Sequence, residues 1–402
     1  MKRFVCLAVA VALSAATAAP AAVDLFQSPP EGNVDIEHGH SVRDAGDVNG
    51  DGIGDFIAGA PYDNTVGDDA GRAFLWFGGP QMTDTPNVVF DDGSGFDWFG
   101  FSVAGIGDID GDGYDDVAVG APGDDLTGEK SGSVYVYFGR PVDRATIGLN
   151  WSDDRVLTGE VGGDRFGWSV SRAGDMNRDG FDDFVVGAPY SDATGTDRGR
   201  AYLFRGTSGT LSTTPAVVWD GPALGGPIST AEFAAFAPDD QAIAGPGFGW
   251  AVADVGNFTA QNRAAVAIGA PGAAGAIGEV HLFVAPALAN NLPSTTPTTI
   301  FRNDTSSERF GWSVSSGGFI TGDSLADLIV GAPGANGNTG LVKVYYGTSS
   351  PPSLENAADF VRNGQVAGDR FGFAVADVGD HLGIAGSWAV GAPTRDDDGL
   401  DA

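Results

Sequence analysis

The side chains best suited to chemistry in this sequence are carboxylates, and they recur at one spacing. The first set is Asp47, Asn49, Asp51 and Asp55. The second is Asp108, Asp110, Asp112 and Asp116, and the third is Asp175, Asn177, Asp179 and Asp183. Each places side-chain oxygens at positions 1, 3, 5 and 9 of a short loop. Position 7 is Ile53, Tyr114 or Phe181 and offers its backbone carbonyl. Position 6 is glycine in all three loops, which permits the sharp turn that folds the oxygens around one point. Such a set suits Ca2+, which takes roughly six to eight hard oxygen ligands. Without a cation the gathered carboxylates would repel one another. Mg2+ fits less well, because it demands tighter octahedral geometry and keeps more water. The spacing predicts about three calcium sites, structural in role because no open catalytic coordination position is evident.

The spacing also matches the start of an EF-hand, which requires a glutamate at position 12 and flanking helices. Position 12 is Ala58, Val119 and Val186, each inside an apolar run. The EF-hand is therefore rejected. Three further copies of the loop are degenerate. One has Asn257, Thr259, Gln261 and Ala265 at the ligand offsets. The next has Phe319 and Thr321 but keeps Asp323 and Asp327, and the last has no acidic set. Other chemistry is sparse. Of four histidines, His38 and His40 occupy aromatic slots of a repeat, where packing or a strand-end hydrogen bond is expected. No G-x-S-x-G or Walker-type phosphate loop occurs. No catalytic residue is assigned, and the chain reads as a non-enzyme.

The loops must be held by something periodic, and the period is plain. Gly-Ala-Pro begins at Gly59, Gly120, Gly187, Gly269, Gly331 and Gly391. Upstream of five of these lies Phe-Gly-aromatic, at Phe99, Phe166, Phe248, Phe310 and Phe371; the first copy has His38-Gly39-His40 in that slot. The runs before Gly-Ala-Pro, such as Val117-Ala118-Val119 and Phe184-Val185-Val186, are apolar throughout, as in a strand buried on both faces. Proline then ends the strand. After most Gly-Ala-Pro copies a glycine opens an alternating strand, at Gly71, Gly132, Gly199 and Gly278. A more polar fourth segment precedes each Phe-Gly, as at Val156-Leu157-Thr158. About four short strands per repeat predict an all-β protein, a β-propeller of four-stranded blades whose faces are buried on their neighbours. The phenylalanine of Phe-Gly is expected between blades, with the glycine allowing close backbone approach. Arg165, Arg309 and Arg370 each precede Phe-Gly and follow an acid, which favours an inter-blade or loop ion pair.

These residues resemble FG-GAP repeats, the units of the β-propeller at the head of integrin α chains. The resemblance covers roughly residues 36 to 402. It implies adhesion or binding of a protein ligand on a propeller face, with calcium loops away from that face. The ninth-position ligand in a strand-loop-strand setting also matches that family. The integrin head has seven blades, whereas six repeats are present here. After Gly391-Ala392-Pro393 the sequence runs on only to Ala402 and stops where the next strand is due. Either Val23-Asp24-Leu25-Phe26 supplies that strand and closes six blades, or the sequence is a fragment and seven blades remain open. A longer step between the third and fourth repeats marks an insertion at about 207–247, either a binding loop or a linker.

The chain has 402 residues and a formal net charge of -32. Such acidity repels phosphate backbones and anionic head groups, so nucleic acid is excluded as a partner. Lys2 and Arg3, the apolar stretch from Phe4 and the small residues to Ala21 read as a signal peptide over 1–21. The propeller then occupies 22–402, with no membrane insertion of the mature chain. Cys6 is the single cysteine and falls inside the signal, which removes disulfides and thiolate sites. Export to the medium, a periplasm or the cell surface follows. The expected function is a calcium-stabilised adhesion or protein-interaction module with an extracellular protein or glycan ligand. Two alternatives are a carbohydrate-binding (lectin-like) propeller, supported if exposed tryptophans recur between blades, and a non-catalytic domain of a larger secreted enzyme. The acidity is also what a saline habitat would select.

Overall fold

The first strands of all six repeats lie side by side around a common axis, and the remaining strands of each repeat run outward from it. The computed structural model describes residues 39–393, except 80, 81, 83, 84, 93, 144, 224–243, 260, 304–307, 351–353, 356, 382 and 383. Blade 1 is β1 (Ser41–Gly46), β2 (Asp55–Ala60), β3 (Arg72–Trp76) and β4 (Val88–Phe90) in antiparallel order. Blade 2 begins with β5 (Ser102–Gly107), β6 (Asp116–Ala121) and β7 (Ser133–Tyr137). Its chain then adds β8 (Leu149–Asn150), which pairs in parallel with β4, before β9 (Arg155–Thr158) completes the blade. Blade 3 is β10 (Ser169–Gly174), β11 (Asp183–Ala188), β12 (Arg200–Phe204) and β13 (Val217–Asp220).

Blade 4 is β14 (Val252–Asp254), β15 (Ala265–Ala270), β16 (Glu279–Val284) and β17 (Thr299–Arg302). Blade 5 is β18 (Ser313–Ser316), β19 (Leu328–Ala332) and β20 (Leu341–Tyr345), then β21 (Leu354–Glu355) against β17, and β22 (Phe360–Asn363) as its fourth strand. The sixth sheet has two strands among the described residues, β23 (Ala374–His381) and β24 (Ile384–Gly391). This is a β-propeller, as the strand count predicts. Residues 1–21, the segment 23–26 and the end of the chain lie outside the described residues. β13 falls within the expected insertion at 207–247 but is an ordinary fourth strand of blade 3. Trp219 on it is fully buried against Phe283, with ring centroids 4.6 Å apart. The extra length therefore follows β13.

The core sits between blades. Every residue of β2, β6, β11 and β15 is buried, because alternate residues of each strand face different neighbours. On β11, Phe184 and Val186 pack toward blade 2, while Val185 packs toward blade 4. The phenylalanines of Phe-Gly stand at these interfaces, Phe99 between blades 1 and 2 and Phe166 between 2 and 3. Both glycines of the motif pair are needed by the backbone. The N–H of Gly100 donates to the carbonyl of Gly120 in its own blade, and Gly39, Gly167, Gly249, Gly311 and Gly372 do the same in theirs. The Gly-Ala-Pro glycine faces the next blade. A Cβ added at Gly59, Gly120, Gly187, Gly269 or Gly331 would stand 1.8 to 2.1 Å from the carbonyl oxygen of the following Phe-Gly glycine.

The aromatic residue after each Phe-Gly turns toward the axis. His40, Phe101, Trp168, Trp250, Trp312 and Phe373 follow one another with centroid separations of 4.7, 4.5, 4.8, 4.8 and 5.4 Å. His40 thus takes an aromatic place, as its slot predicts. Arg165 is buried, and its guanidinium lies over Trp98 at 4.9 Å and over Tyr190 at 5.1 Å. Cation–π packing is a role of Arg165 that sequence reading missed.

Candidate metal centre

Each acidic loop joins the first and second strands of its blade. A bulge precedes it in all three copies, where the register shifts at Gly46, Gly107 and Gly174. These glycines have φ of 75°, 78° and 64°, a left-handed region that L side chains adopt at a cost. The bulge turns the chain so that position 1 opens the loop away from the sheet.

Hydrogen bonds then shape the three loops alike. In loop 1 the N–H groups of Asp51 and Gly52 donate to the two oxygens of Asp47, at 2.9 and 2.8 Å. The Asp51 N–H is shared with the Asn49 side-chain oxygen at 3.0 Å, and the Ile53 N–H donates to Asp51 at 3.0 Å. Loop 2 repeats this through Asp108, Asp110 and Asp112, and loop 3 through Asp175, Asn177 and Asp179. The ninth residue closes the figure. Asp55 accepts from Val48 N–H at 2.9 Å and from Gly78 N–H at 2.8 Å. Asp116 accepts from Ile109 and Gly139, and Asp183 from Met176 and Gly206.

The donor set fits a hard cation. In loop 2 one oxygen each from Asp108, Asp110 and Asp116 lie within 4.8 Å of one another. The ninth-position carboxyls are 2 %, 0 % and 0 % exposed. Burial pushes Asp55 up to about 7, against the two N–H groups it accepts from and with Asp51 and Asp47 adding. Burial likewise takes Asp116 to about 8 and Asp183 to about 7, with the other loop carboxylates adding. A divalent cation among these oxygens would offset both causes. The residues that could hold it are those predicted: Asp47, Asn49, Asp51, Asp55 and the Ile53 carbonyl in loop 1, with their counterparts in loops 2 and 3.

Two functions of these residues were missed in sequence. The ninth aspartate clamps backbone whether or not a cage is complete: in degenerate loop 5, Asp327 still accepts from Gly347 N–H at 2.9 Å. Its survival there was the available signal. The seventh side chain packs on the preceding loop. A Cβ at Gly50 would meet the Tyr114 ring at 2.3 Å, and one at Gly111 would meet the Phe181 ring at 2.5 Å. Asp115 also accepts from the Asp47 N–H at 2.7 Å. The loops thus form a connected row.

A family model for the FG-GAP repeat matches residues 99–137, 166–204 and 310–345. The chain carries FG-GAP repeats. Each matched stretch opens on a Phe-Gly phenylalanine and ends at the close of a blade's third strand, so two of the three enclose loops 2 and 3. The chain is similar to integrin alpha-5 of Xenopus laevis, 34% identical over 185 residues, which is 43% of this chain and 17% of that protein. Integrin alpha-8 of Gallus gallus is 31% identical over 196 residues, 46% of this chain and 16% of the relative. The chain therefore spans under a fifth of the length of these relatives. Among solved structures, Chaetomium thermophilum Sqt1 bound to the N-terminus of ribosomal protein L10 aligns over 86% of this chain and 80% of its own. That alignment has a TM-score of 0.43 and 13% identity.

Proposed function

We propose that this FG-GAP protein is an exported, calcium-stabilised β-propeller that acts as an adhesion or protein-interaction module and not as an enzyme. The observation that carries the reading is the threefold recurrence of one hydrogen-bonded acidic loop with a buried ninth carboxylate. Three Ca2+ ions, one per loop, account for carboxylates that burial otherwise disfavours as anions. The loops lie at bulged strand ends on the rigid sheet frame, so the cation's work is to hold adjoining blades. Similarity to integrin α chains supports an extracellular protein as the ligand, and the reading of residues 1–21 as a signal peptide supports export. The lectin-like alternative loses its expected feature. Trp168, Trp250 and Trp312 recur at equivalent places but are only 7 %, 9 % and 8 % exposed.

The test has two arms. Calorimetric titration of the full chain with calcium should give at least three sites, one for each acidic loop. Immobilised protein should bind an extracellular-matrix protein saturably in calcium and lose that binding after calcium is stripped. Binding to a glycan array with no protein ligand retained would replace this reading with the lectin-like one. No heat of calcium binding would remove the metal from it.

A further inference from the structure

A second group of carboxylates lies away from the three loops. Asp92 follows β4 at the end of blade 1, Asp97 precedes Phe99-Gly100 at the entry to blade 2, and Asp124 follows the Gly-Ala-Pro of blade 2. One oxygen from each lies within 4.8 Å of the others. Asp97 is 7 % exposed and Asp124 2 %.

The three are unequally satisfied. Asp124 accepts from Leu126 N–H and from the Tyr135 hydroxyl, both at 2.8 Å. Asp92 accepts from Ser94 N–H through one oxygen, and its other oxygen is buried with no hydrogen-bond partner. Asp97 is the least provided for. After burial, the groups that act on its carboxyl are Asp92, Asp124 and Asp125, all acids, and together they push it up to about 8. None of the three carboxylates forms an ion pair among the described residues.

Other blades supply positive charge at the matching places. The turn before Phe-Gly reads Asp164-Arg165, Glu308-Arg309 and Asp369-Arg370 in blades 3, 5 and 6, whereas Trp98 follows Asp97 in blade 2. Asp63, the blade 1 counterpart of Asp124, pairs with Arg72 at 2.5 Å. A buried carboxylate set with no cation from its own chain is costly unless a proton or a metal joins it.

We propose that Asp92, Asp97 and Asp124 form a further site for a hard divalent cation of the calcium class, clamping the passage from blade 1 to blade 2. Three carboxylates form the protein's share of the ligands, and Asp92, only half-buried, leaves water to complete the shell. The cation would replace a proton that Asp92 and Asp97 otherwise share.

Counting bound ions tests this. The full chain is equilibrated with calcium, freed of unbound metal and analysed by mass spectrometry of the elements. Asp97→Asn and Asp92→Asn are compared with wild type and with Asp108→Ala, a variant of loop 2. Each cluster variant should lose one ion per chain, and Asp97→Asn combined with Asp108→Ala should lose two. In calcium-free buffer Asp97→Asn should melt no lower than wild type, since repulsion has been removed; in calcium it should melt lower. If Asp97→Asn does not fold, Asp92→Asn carries the same readout. Equal ion counts in wild type and the folded cluster variants, with an ion lost from Asp108→Ala, would overturn the site. The cluster would then be a pair of acids sharing a proton, and the loop sites would stand.

Discussion

Stripping the metal should make the protein less stable as pH rises from about 5.5 to 7.5. The cause is the three ninth-position aspartates, whose folded pKa values stand near 7, 8 and 7 for Asp55, Asp116 and Asp183, against ~3.9 in an unfolded chain. A carboxyl raised in this way keeps its proton in the folded state after the unfolded chain has lost it. Its contribution is complete below about pH 4 and is lost as pH climbs through the folded value. Between about pH 5 and 6.5 each group binds close to one more proton folded than unfolded, so stability falls by roughly 1 kcal/mol per unit per loop. Three loops together lose on the order of 5 kcal/mol by about pH 7.5, a large share of the roughly 5–15 kcal/mol of an ordinary protein. The assay is urea unfolding of calcium-stripped protein in resin-treated buffer at several pH values, repeated with excess calcium. Calcium replaces the protons and should flatten the profile. Stability of the stripped protein that holds level or rises with pH would refute the argument, because the buried carboxyls would then be ionised at no cost.

Replacing Asp110 by asparagine should weaken loop 2 only a few-fold in calorimetry, since Asn49 and Asn177 occupy that place in loops 1 and 3. Asp108→Ala should abolish the site, because both Asp108 oxygens shape the turn. Gly120→Ala should prevent folding or lower stability by several kcal/mol in thermal melts: the new Cβ meets the Gly167 carbonyl oxygen at 2.1 Å, and backbone cannot move aside as a side chain would. Asp327→Ala should cost about 1 kcal/mol in urea unfolding although its loop is degenerate, by orphaning the half-buried Gly347 N–H. Tyr114→Ala should weaken calcium binding at loop 1 as well as loop 2, read as altered heats at two sites, because its ring packs on Gly50.

Much of this was legible in the chain. Repeat period, strand count and the burial of β2, β6, β11 and β15 follow from local pattern, because apolar alternation and proline stops act over a few residues. The three loops were legible for the same reason: their ligands lie within nine residues, and position 6 must be glycine. The insertion was less so. β13 inside it is short, and Trp219 reads as a loop aromatic until Phe283 of the next blade is brought against it.

Sequence by itself therefore determined what each blade is and which side chains form each loop, since both are set by near neighbours along the chain. Tertiary structure alone decided how blades and loops meet. It placed Tyr114 and Phe181 on the loops before them and Arg165 on Trp98 and Tyr190. It turned one aromatic per blade toward the axis, and it gathered Asp92, Asp97 and Asp124 from separate turns. Most of those contacts join residues tens of positions apart. Their distances depend on how closely one blade's backbone approaches the next, which the glycine-to-carbonyl contacts between blades set.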